Sequence, residues 1–146
     1  MFKNILVVCI GNICRSPMAE GLLKRALFAS NKGDCVVNSA GLGALVGQPP
    51  DAKACQLMIE SGIDISDYRA CQINKEMIRK ADLILVMELA HKIAIEESET
   101  SAKGKVFRVG EWGKFDISDP YKQDLSAFVK SFNLIEQGIA LWVPKL

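Results

Sequence analysis

Two cysteines and an arginine lie close together near the N-terminus, in residues 8–17 with the sequence VCIGNICRSP. A cysteine becomes a strong nucleophile when a positive environment stabilises its thiolate. The planar guanidinium of Arg15 can bind two oxygens of a phosphoryl group at once, and Gly11 lets the backbone come close to a bound anion. Cys9, Gly11 and Arg15 therefore indicate a loop that binds phosphate and attacks phosphorus through sulfur. Such a reaction also needs a carboxyl group, from another loop, to protonate the leaving oxygen.

The segments on either side of this loop predict its position in the fold. Residues 5–8 form a continuous apolar run, which is typical of a strand buried on both faces. Ser16 as N-cap and Pro17 at the first helical position predict a helix immediately after the loop. A loop that enters a helix N-terminus offers unpaired backbone N–H groups and partial positive charge. These groups would cradle a phosphate and stabilise the Cys9 thiolate.

Short β-rich runs alternate with segments of helical periodicity along the rest of the chain. We predict further strands at 35–40, 83–87 and 105–109, and further helices at 51–62, 75–80, 88–97 and 125–142. Four strands separated by helices imply right-handed crossovers. The predicted fold is a three-layer α/β fold, in which an open four-stranded parallel sheet has helices on both faces and the phosphate-binding loop follows the first strand.

Composition limits the class of protein. The 146 residues, 49% of them hydrophobic, suit one domain over 1–146 with a single substantial core. Eighteen basic residues face 17 acidic ones, which gives no support to a nucleic-acid partner. The apolar run near the N-terminus is too short for a signal peptide or a membrane span, and five scattered cysteines suit reduced thiols. We therefore expect a cytoplasmic protein without membrane insertion.

Residues 9–17, CIGNICRSP, together with Asp119-Pro120-Tyr121, resemble the low-molecular-weight protein tyrosine phosphatases over essentially the whole chain. The resemblance implies hydrolysis of phosphotyrosine through a phosphocysteine, with no cofactor and with inorganic phosphate as product. Cys9 would be the nucleophile, Arg15 the phosphoryl ligand, and Asp119 the general acid and then base. The remaining implied site residues are Ile10, Gly11, Ile13 and Cys14 in the phosphate loop, Ser16 as a hydrogen-bond partner of the thiolate, and Asn12 and Ser39 as supports of the loop.

Residues 39–47, SAGLGALVG, resemble the bacterial branch that acts with membrane tyrosine autokinases of capsule and exopolysaccharide export. In that branch an aliphatic residue, here Leu45, stands in the active-site wall, and Lys122 follows Tyr121 in place of a second tyrosine. The implied partner is therefore such an autokinase. One departure from close relatives is Glu111, which stands beside Trp112 where a histidine is expected.

Several residues have alternative interpretations. Tyr121 and Trp112 could pack internally or form the rim that accepts a phenyl ring, and for Tyr121 we favour the rim. Cys14 could fill space behind the loop, or form a protective disulfide with an oxidised Cys9. His91 is interpreted as a surface residue, and the other three thiols (Cys35, Cys55, Cys71) as core or incidental residues.

Two other functions are compatible with the motif itself. An arsenate reductase on this scaffold needs two further cysteines after the third strand, and residues 87–94 contain none. A phosphocysteine carrier protein would not need Arg15 together with Asp119. A zinc site is not supported, because Cys9 and Cys14 lack a second pair of ligands at suitable spacing.

Overall fold

Four apolar strands form one parallel sheet in the computed structural model, which describes residues 2–146. The strands are β1 (Asn4–Cys9), β2 (Val36–Gly41), β3 (Leu83–Val86) and β4 (Val106–Arg108), and they lie in the order β2-β1-β3-β4. The helices are α1 (Arg15–Ala29), α2 (Ala52–Glu60), α3 (Lys75–Lys80), α4 (Leu89–Ser98) and α5 (Leu125–Trp142). Single 3-10 turns lie at Thr100–Ala102, Glu111–Gly113 and Val143–Lys145. The predicted parallel α/β fold is confirmed.

The sheet separates two apolar layers, and the side chains of its central strand β1 contribute to both. These side chains alternate between the two faces of the sheet, as the pleat of a strand requires. Val7 and Cys9 pack with residues of α1 and α5, such as Met18 and Phe128. Leu6 and Val8 pack on the opposite face against α3 and α4. The sheet is therefore covered on both sides, and the Cys9 side chain lies on the α1 side.

The register of the sheet brings the functional loops to one edge. Cys9, the last residue of β1, pairs with Gly41, the last residue of β2. Val86, the last residue of β3, is level with Val8 and with Arg108, the last residue of β4. All four strands are parallel and end together, so the segments that follow them converge at the carboxyl edge of the sheet.

The start of α1 differs from the prediction. The helix begins at Arg15 with Cys14 at the N-cap position, and the N-cap makes no side-chain hydrogen bond. The prediction that Ser16 caps this helix, with Pro17 at the first helical position, is therefore wrong, because the Ser16 hydroxyl is used by the phosphate loop instead. Pro17 still lies in the first turn, where its missing N–H costs no helical hydrogen bond.

The long C-terminal helix α5 packs its apolar face on the sheet as predicted, through residues such as Phe132, Ile135 and Ile139. Leu125 and Val129 are each 37% exposed and lie at the margin of that face. Within residues 2–146, no helix combines the length and the apolarity that crossing a bilayer requires.

Candidate active site

Residues 9–15 form a loop between β1 and α1, and its carbonyl groups face outward. The segment after β2 runs alongside the loop and donates backbone N–H groups to it. Leu42 N–H binds the Cys9 carbonyl at 2.9 Å, and the N–H groups of Gly43 and Leu45 bind the next two carbonyls, each at 3.0 Å. Asp51 N–H binds the Ile13 carbonyl at 2.8 Å. Four carbonyls of the loop are thus held by one neighbouring segment.

This arrangement turns the N–H groups of the loop away from that segment and toward the inside of the loop. No peptide bond among residues 2–146 is cis, and in a trans peptide the N–H points opposite to the carbonyl. The N–H groups of Ile10, Gly11, Asn12 and Cys14 therefore face inward. For Asn12 the contact is direct, because its backbone N–H donates to Cys9 Sγ at 3.3 Å. The inward N–H groups are the donors that a bound phosphate would use.

Two backbone features allow this close packing. Asn12 has a φ of 60°, in the left-handed region that asparagine tolerates better than most residues. Gly41 lies directly beside the loop, and a Cβ there would overlap the Ile10 carbonyl oxygen and lie 3.0 Å from Asn12 Cβ. A side chain at Gly41 would therefore displace the phosphate loop.

A buried polar cluster supports the loop from behind. The Ser16 hydroxyl lies 2.9 Å from Cys9 Sγ. The Asn12 side chain, which is fully buried, donates through Nδ2 to Ser16 Oγ at 2.7 Å and to Ser39 Oγ at 3.2 Å. The structure thus brings together all three residues that the resemblance assigned to loop support and thiolate bonding, and it adds Tyr68, whose hydroxyl contacts the same cluster.

Arg15 is held over the loop by three partners. Its side chain is almost fully buried, and Nη1 donates to Glu88 Oε2 at 2.6 Å and to the Ile117 carbonyl at 2.8 Å. Nη2 lies 3.5 Å from Asp119 Oδ2. Helical side chains tilt toward the helix N-terminus, so the first residue of α1 projects its guanidinium back toward the cavity.

Asp119 is oriented by its own turn. Its Oδ1 accepts the backbone N–H of Tyr121 at 3.0 Å, which leaves Oδ2 directed at the guanidinium of Arg15. Asp119 is 44% exposed at the side chain, so one face of the carboxyl group is open to solvent. The carboxyl oxygen nearest the guanidinium is therefore available to a ligand in the cavity.

The segment before the acid is fixed by Arg108 at the end of β4. Its guanidinium binds Glu111 Oε2 at 3.4 Å and Asp116 Oδ1 at 3.2 Å. Glu111, at the position where a histidine was expected, therefore serves as one of two anchors for this segment. Trp112 packs edge-on against Trp142 at a ring-centroid distance of 5.3 Å.

A cavity of about 120 Å³ opens above the sulfur. It is lined by all of residues 9–15 and by Gly43, Leu45, Asp119 and Tyr121. Ser16 and Ser39 lie behind this lining in the buried cluster. Tyr121, 41% exposed, stands at the mouth as a rim residue, whereas Trp112 does not line the cavity. The site therefore combines a polar floor with Leu45 and Tyr121 on its walls.

The family model described as low molecular weight phosphotyrosine protein phosphatase matches residues 4–146. The chain belongs to this family. It is 49% identical over 146 residues to the probable low molecular weight protein-tyrosine-phosphatase EpsP of Ralstonia nicotianae, covering 100% of this chain and 97% of the relative. It is 40% identical over 147 residues to the low molecular weight protein-tyrosine-phosphatase Wzb of Escherichia coli K12, with coverage of 100% and 97%.

The fold of this phosphatase also matches solved structures. It superposes on Vibrio vulnificus Wzb in complex with benzylphosphonate with a TM-score of 0.93, at 38% sequence identity and with 100% of both chains covered. The chain is thus a protein-tyrosine phosphatase by family.

Sequence reasoning missed two side chains of the phosphatase site. Glu88, the strongest partner of Arg15 by distance, lies two residues after β3. The rule that placed Cys9 at the carboxyl edge of the sheet would have pointed to it. Tyr68 lies in an irregular segment between α2 and α3, and no periodicity or motif marks it.

The prediction that His91 is a surface residue is wrong. It is 4% exposed, and its Nδ1 accepts the Glu88 backbone N–H at 3.3 Å. The ring folds back onto the first turn of α4, behind the pair formed by Arg15 and Glu88, with Nε2 3.5 Å from Glu88 Oε2. Burial, and secondarily the nearby Arg15 charge, lower the pKa of His91. The ring is therefore a neutral support at pH 7.

Cys14 lies in the wall of the loop and is buried. Burial raises the pKa of its thiol, with smaller contributions from neighbouring acidic groups. Cys14 is therefore a neutral thiol at pH 7.

Within residues 2–146, no group of three or more His, Cys, Asp and Glu side chains is arranged to hold a metal ion.

Proposed function

We propose that this phosphatase hydrolyses phosphotyrosine through a covalent phosphocysteine at Cys9. The observation that carries the proposal is that Cys9 Sγ, the Arg15 guanidinium and Asp119 Oδ2 face one small cavity. A nucleophile, a phosphoryl ligand and a proton donor are the three groups that the reaction needs.

In the first step, the Cys9 thiolate attacks phosphorus in line with the ester oxygen. The S–P bond forms as the P–O bond to the tyrosine breaks, and Asp119 gives its proton to the departing phenolate oxygen. The inward N–H groups of the loop bind the equatorial oxygens together with Arg15. These donors are in place before substrate arrives, so they stabilise the transition state without reorganisation.

In the second step, water attacks the phosphocysteine. Asp119, now a carboxylate, takes a proton from the water while the S–P bond breaks and the Cys9 thiolate leaves. The Ser16 hydroxyl, 2.9 Å from the sulfur, stabilises that leaving group. Inorganic phosphate is released, and the Cys9 thiolate and the protonated Asp119 are restored, which closes the cycle without a metal or a cofactor.

The walls of the cavity support an aromatic ester as substrate. Leu45 and Tyr121 flank the entrance, and an aryl ring between them would place its oxygen near Asp119. The similar Wzb of Vibrio vulnificus was solved with benzylphosphonate, which carries a benzyl group on a phosphoryl analogue. This ligand supports an aromatic phosphate as the substrate class here.

The alternatives are not favoured. Of the five cysteines, Cys9 and Cys14 line the cavity. The segment after β3 and helix α4 contain no cysteine, so they cannot supply the further thiols that a reductase relay needs. A phosphocysteine carrier protein would not need a general acid, whereas here Asp119 lies 3.5 Å from Arg15.

The proposed physiological substrate is phosphotyrosine on a membrane tyrosine autokinase of polysaccharide export. The resemblance of residues 39–47 to that bacterial branch supports this substrate. All five cysteines are free, which supports a location in the reducing cytoplasm. We also propose that residues 1–146 act as one domain.

Capture from a lysate with the Asp119→Ala variant tests the proposed autokinase partner. We expect a tyrosine autokinase to be retained and to be released by vanadate, whereas specific capture of an unrelated phosphoprotein would refute it.

The nucleophile is tested by Cys9→Ser. We expect turnover of p-nitrophenyl phosphate and of a phosphotyrosyl peptide to be abolished while the unfolding temperature stays near that of the wild type. Cys35→Ser is the matched control, because Cys35 precedes β2 at the opposite edge of the sheet, and it should retain full activity. Near-normal turnover by Cys9→Ser would refute the mechanism.

We further propose that Cys14 protects Cys9 from oxidation. Peroxide converts the Cys9 thiolate to a sulfenic acid, and the Cys14 thiol condenses with it, which forms a disulfide and releases water. Added thiol then restores both cysteines. We expect peroxide-inactivated wild type and Cys35→Ala to recover with thiol, and Cys14→Ala to recover poorly. Equal recovery by Cys14→Ala would rule out this role.

A further inference from the structure

The Tyr68 hydroxyl touches the phosphate loop on the side away from the cavity. It lies 2.7 Å from Asn12 Oδ1 and 2.8 Å from Ser39 Oγ. Tyr68 is not part of the CIGNICRSP motif and does not line the catalytic cavity. Its position raises the question of what a phenol adds to a loop that is already held by backbone hydrogen bonds.

The hydrogen count around Asn12 fixes the direction of its side-chain amide. The backbone N–H of Cys71 lies 2.8 Å from Oδ1, and a backbone N–H can only donate. The atom it faces is therefore the amide oxygen. The single hydrogen of the Tyr68 hydroxyl has two acceptors within reach, Asn12 Oδ1 at 2.7 Å and the Ser39 carbonyl at 3.0 Å. Oδ1 is the nearer acceptor, so the phenol donates to it and Oδ1 accepts two hydrogen bonds.

The direction of this amide determines the direction of the next bond. Both hydrogens of Asn12 Nδ2 are used, one toward Ser16 Oγ and one toward Ser39 Oγ. Because Nδ2 only donates, Ser16 must accept from it. The single hydrogen of the Ser16 hydroxyl is then directed to Cys9 Sγ at 2.9 Å. A donor at this position favours the thiolate over the thiol.

Tyr68 acts on this chain of bonds in two ways. It donates to Asn12 Oδ1, and it accepts the hydroxyl hydrogen of Ser39, which turns an Oγ lone pair toward Asn12 Nδ2. Burial raises the pKa of Tyr68, so the phenol keeps its proton at the pH of the reaction. Both bonds favour the amide direction that leaves the Ser16 hydrogen for sulfur.

We propose that Tyr68 is a positioning residue for the reaction, which stabilises the Cys9 thiolate through a one-directional chain of hydrogen bonds from Tyr68 to Asn12, Ser16 and Cys9. This inference rests on the proposed role of Cys9 as nucleophile. The residue acts from outside the motif and without contact to substrate. Its effect is on the charge state of the nucleophile and not on the shape of the substrate pocket.

The variant Tyr68→Phe removes the hydroxyl and keeps the ring. The readout is the rate at which iodoacetate alkylates Cys9 as a function of pH, followed by mass spectrometry of the peptide that contains Cys9. We expect the midpoint of the profile to move to higher pH and the alkylation rate below the midpoint to fall about three- to tenfold. The other groups that face the sulfur (Arg15, Asp119 and Cys14) are the same in both proteins.

A double-mutant cycle with Ser16→Ala tests the route. If Tyr68 acts through the Ser16 hydroxyl, the midpoint shift caused by Tyr68→Phe disappears in the Ser16→Ala background. Cys35→Ala is the control, because Cys35 directly precedes β2, at the edge of the sheet opposite the phosphate loop, and lies outside this network. Its profile should match the wild type.

Three results would overturn the proposal. They are an unchanged midpoint in Tyr68→Phe even where its thermal stability falls, a shift of full size in the Ser16→Ala background, and an equal shift in Cys35→Ala. If Ser16→Ala does not fold, the single Tyr68→Phe profile decides. Alkylation does not require turnover, so these results are independent of the Cys9→Ser test. Loss of the proposed mechanism and loss of the Tyr68 role are therefore distinguishable.

Discussion

Replacing Glu88 should weaken catalysis although Glu88 does not line the cavity. Its carboxylate holds Arg15 Nη1 at 2.6 Å, and the Ile117 carbonyl holds the same nitrogen at 2.8 Å. A hydrogen bond to a charged group contributes about 1.5–3 kcal/mol. The Glu88 side chain is 34% exposed, so solvent screens the pair and the lower end of that range, about 1.5 kcal/mol, applies. When the transition state loses all of this stabilisation, kcat/KM falls about tenfold.

The assay is kcat/KM for a phosphotyrosyl peptide. We expect Glu88→Ala to lower it about tenfold, and Glu88→Gln, which keeps an acceptor oxygen, to lower it less. Glu76→Ala is the control, because Glu76 forms an exposed pair with Lys80 on α3 at 3.0 Å, away from the site. Wild-type kcat/KM in Glu88→Ala would refute the argument that Glu88 orients Arg15.

Three further predictions follow from the geometry. Asp119→Ala should slow hydrolysis of phenyl phosphate by about 10²-fold or more and p-nitrophenyl phosphate much less, since only the poorer leaving group needs the proton; an equal loss would contradict general-acid catalysis. Gly41→Ala should lower the free energy of unfolding in urea by about 1–3 kcal/mol, because the added Cβ overlaps the phosphate loop, whereas Gly43→Ala adds a Cβ with nothing within 4 Å and should not. His91 is the one histidine of the chain, and its pKa is lowered in the folded state. As the pH falls below about 7, His91 is therefore protonated in the unfolded chain before it is protonated in the folded protein, and the free energy of unfolding decreases until the pH reaches the folded-state pKa. Urea unfolding of His91→Gln between pH 7 and 5 should show a weaker dependence, and an unchanged dependence would exclude His91 as its source.

Local rules predicted the parts of the site that depend on neighbours in sequence. The apolar run of β1, the glycine turn and the helix that follows placed Cys9 and Arg15 correctly, because a parallel strand delivers its last residue to the carboxyl edge. Asp119 was found only through its resemblance to a family motif. Its place 3.5 Å from Arg15 depends on how the last strand and α5 pack.

The errors share a physical cause, which is competition for a polar side chain. Ser16 is a favoured N-cap residue type and precedes a proline, but its hydroxyl lies 2.9 Å from the Cys9 sulfur across the loop. His91 is a polar residue at the start of α4, but its ring folds onto the Glu88 backbone and is buried there. Tyr68 meets Asn12 across 56 residues of chain. Such contacts are decided by tertiary packing, and no local pattern encodes them.

The contact between Leu45 and the phosphate loop has a consequence for how this enzyme can change. The Leu45 N–H holds the Gly11 carbonyl, whereas its side chain forms part of the cavity wall. Any residue except proline supplies that N–H. The wall can therefore be altered by substitution at position 45 while the anion-binding backbone keeps its form. Substrate preference and phosphoryl-transfer chemistry are thus separately mutable at a single position, which lets related enzymes diverge in what they recognise without rebuilding how they react.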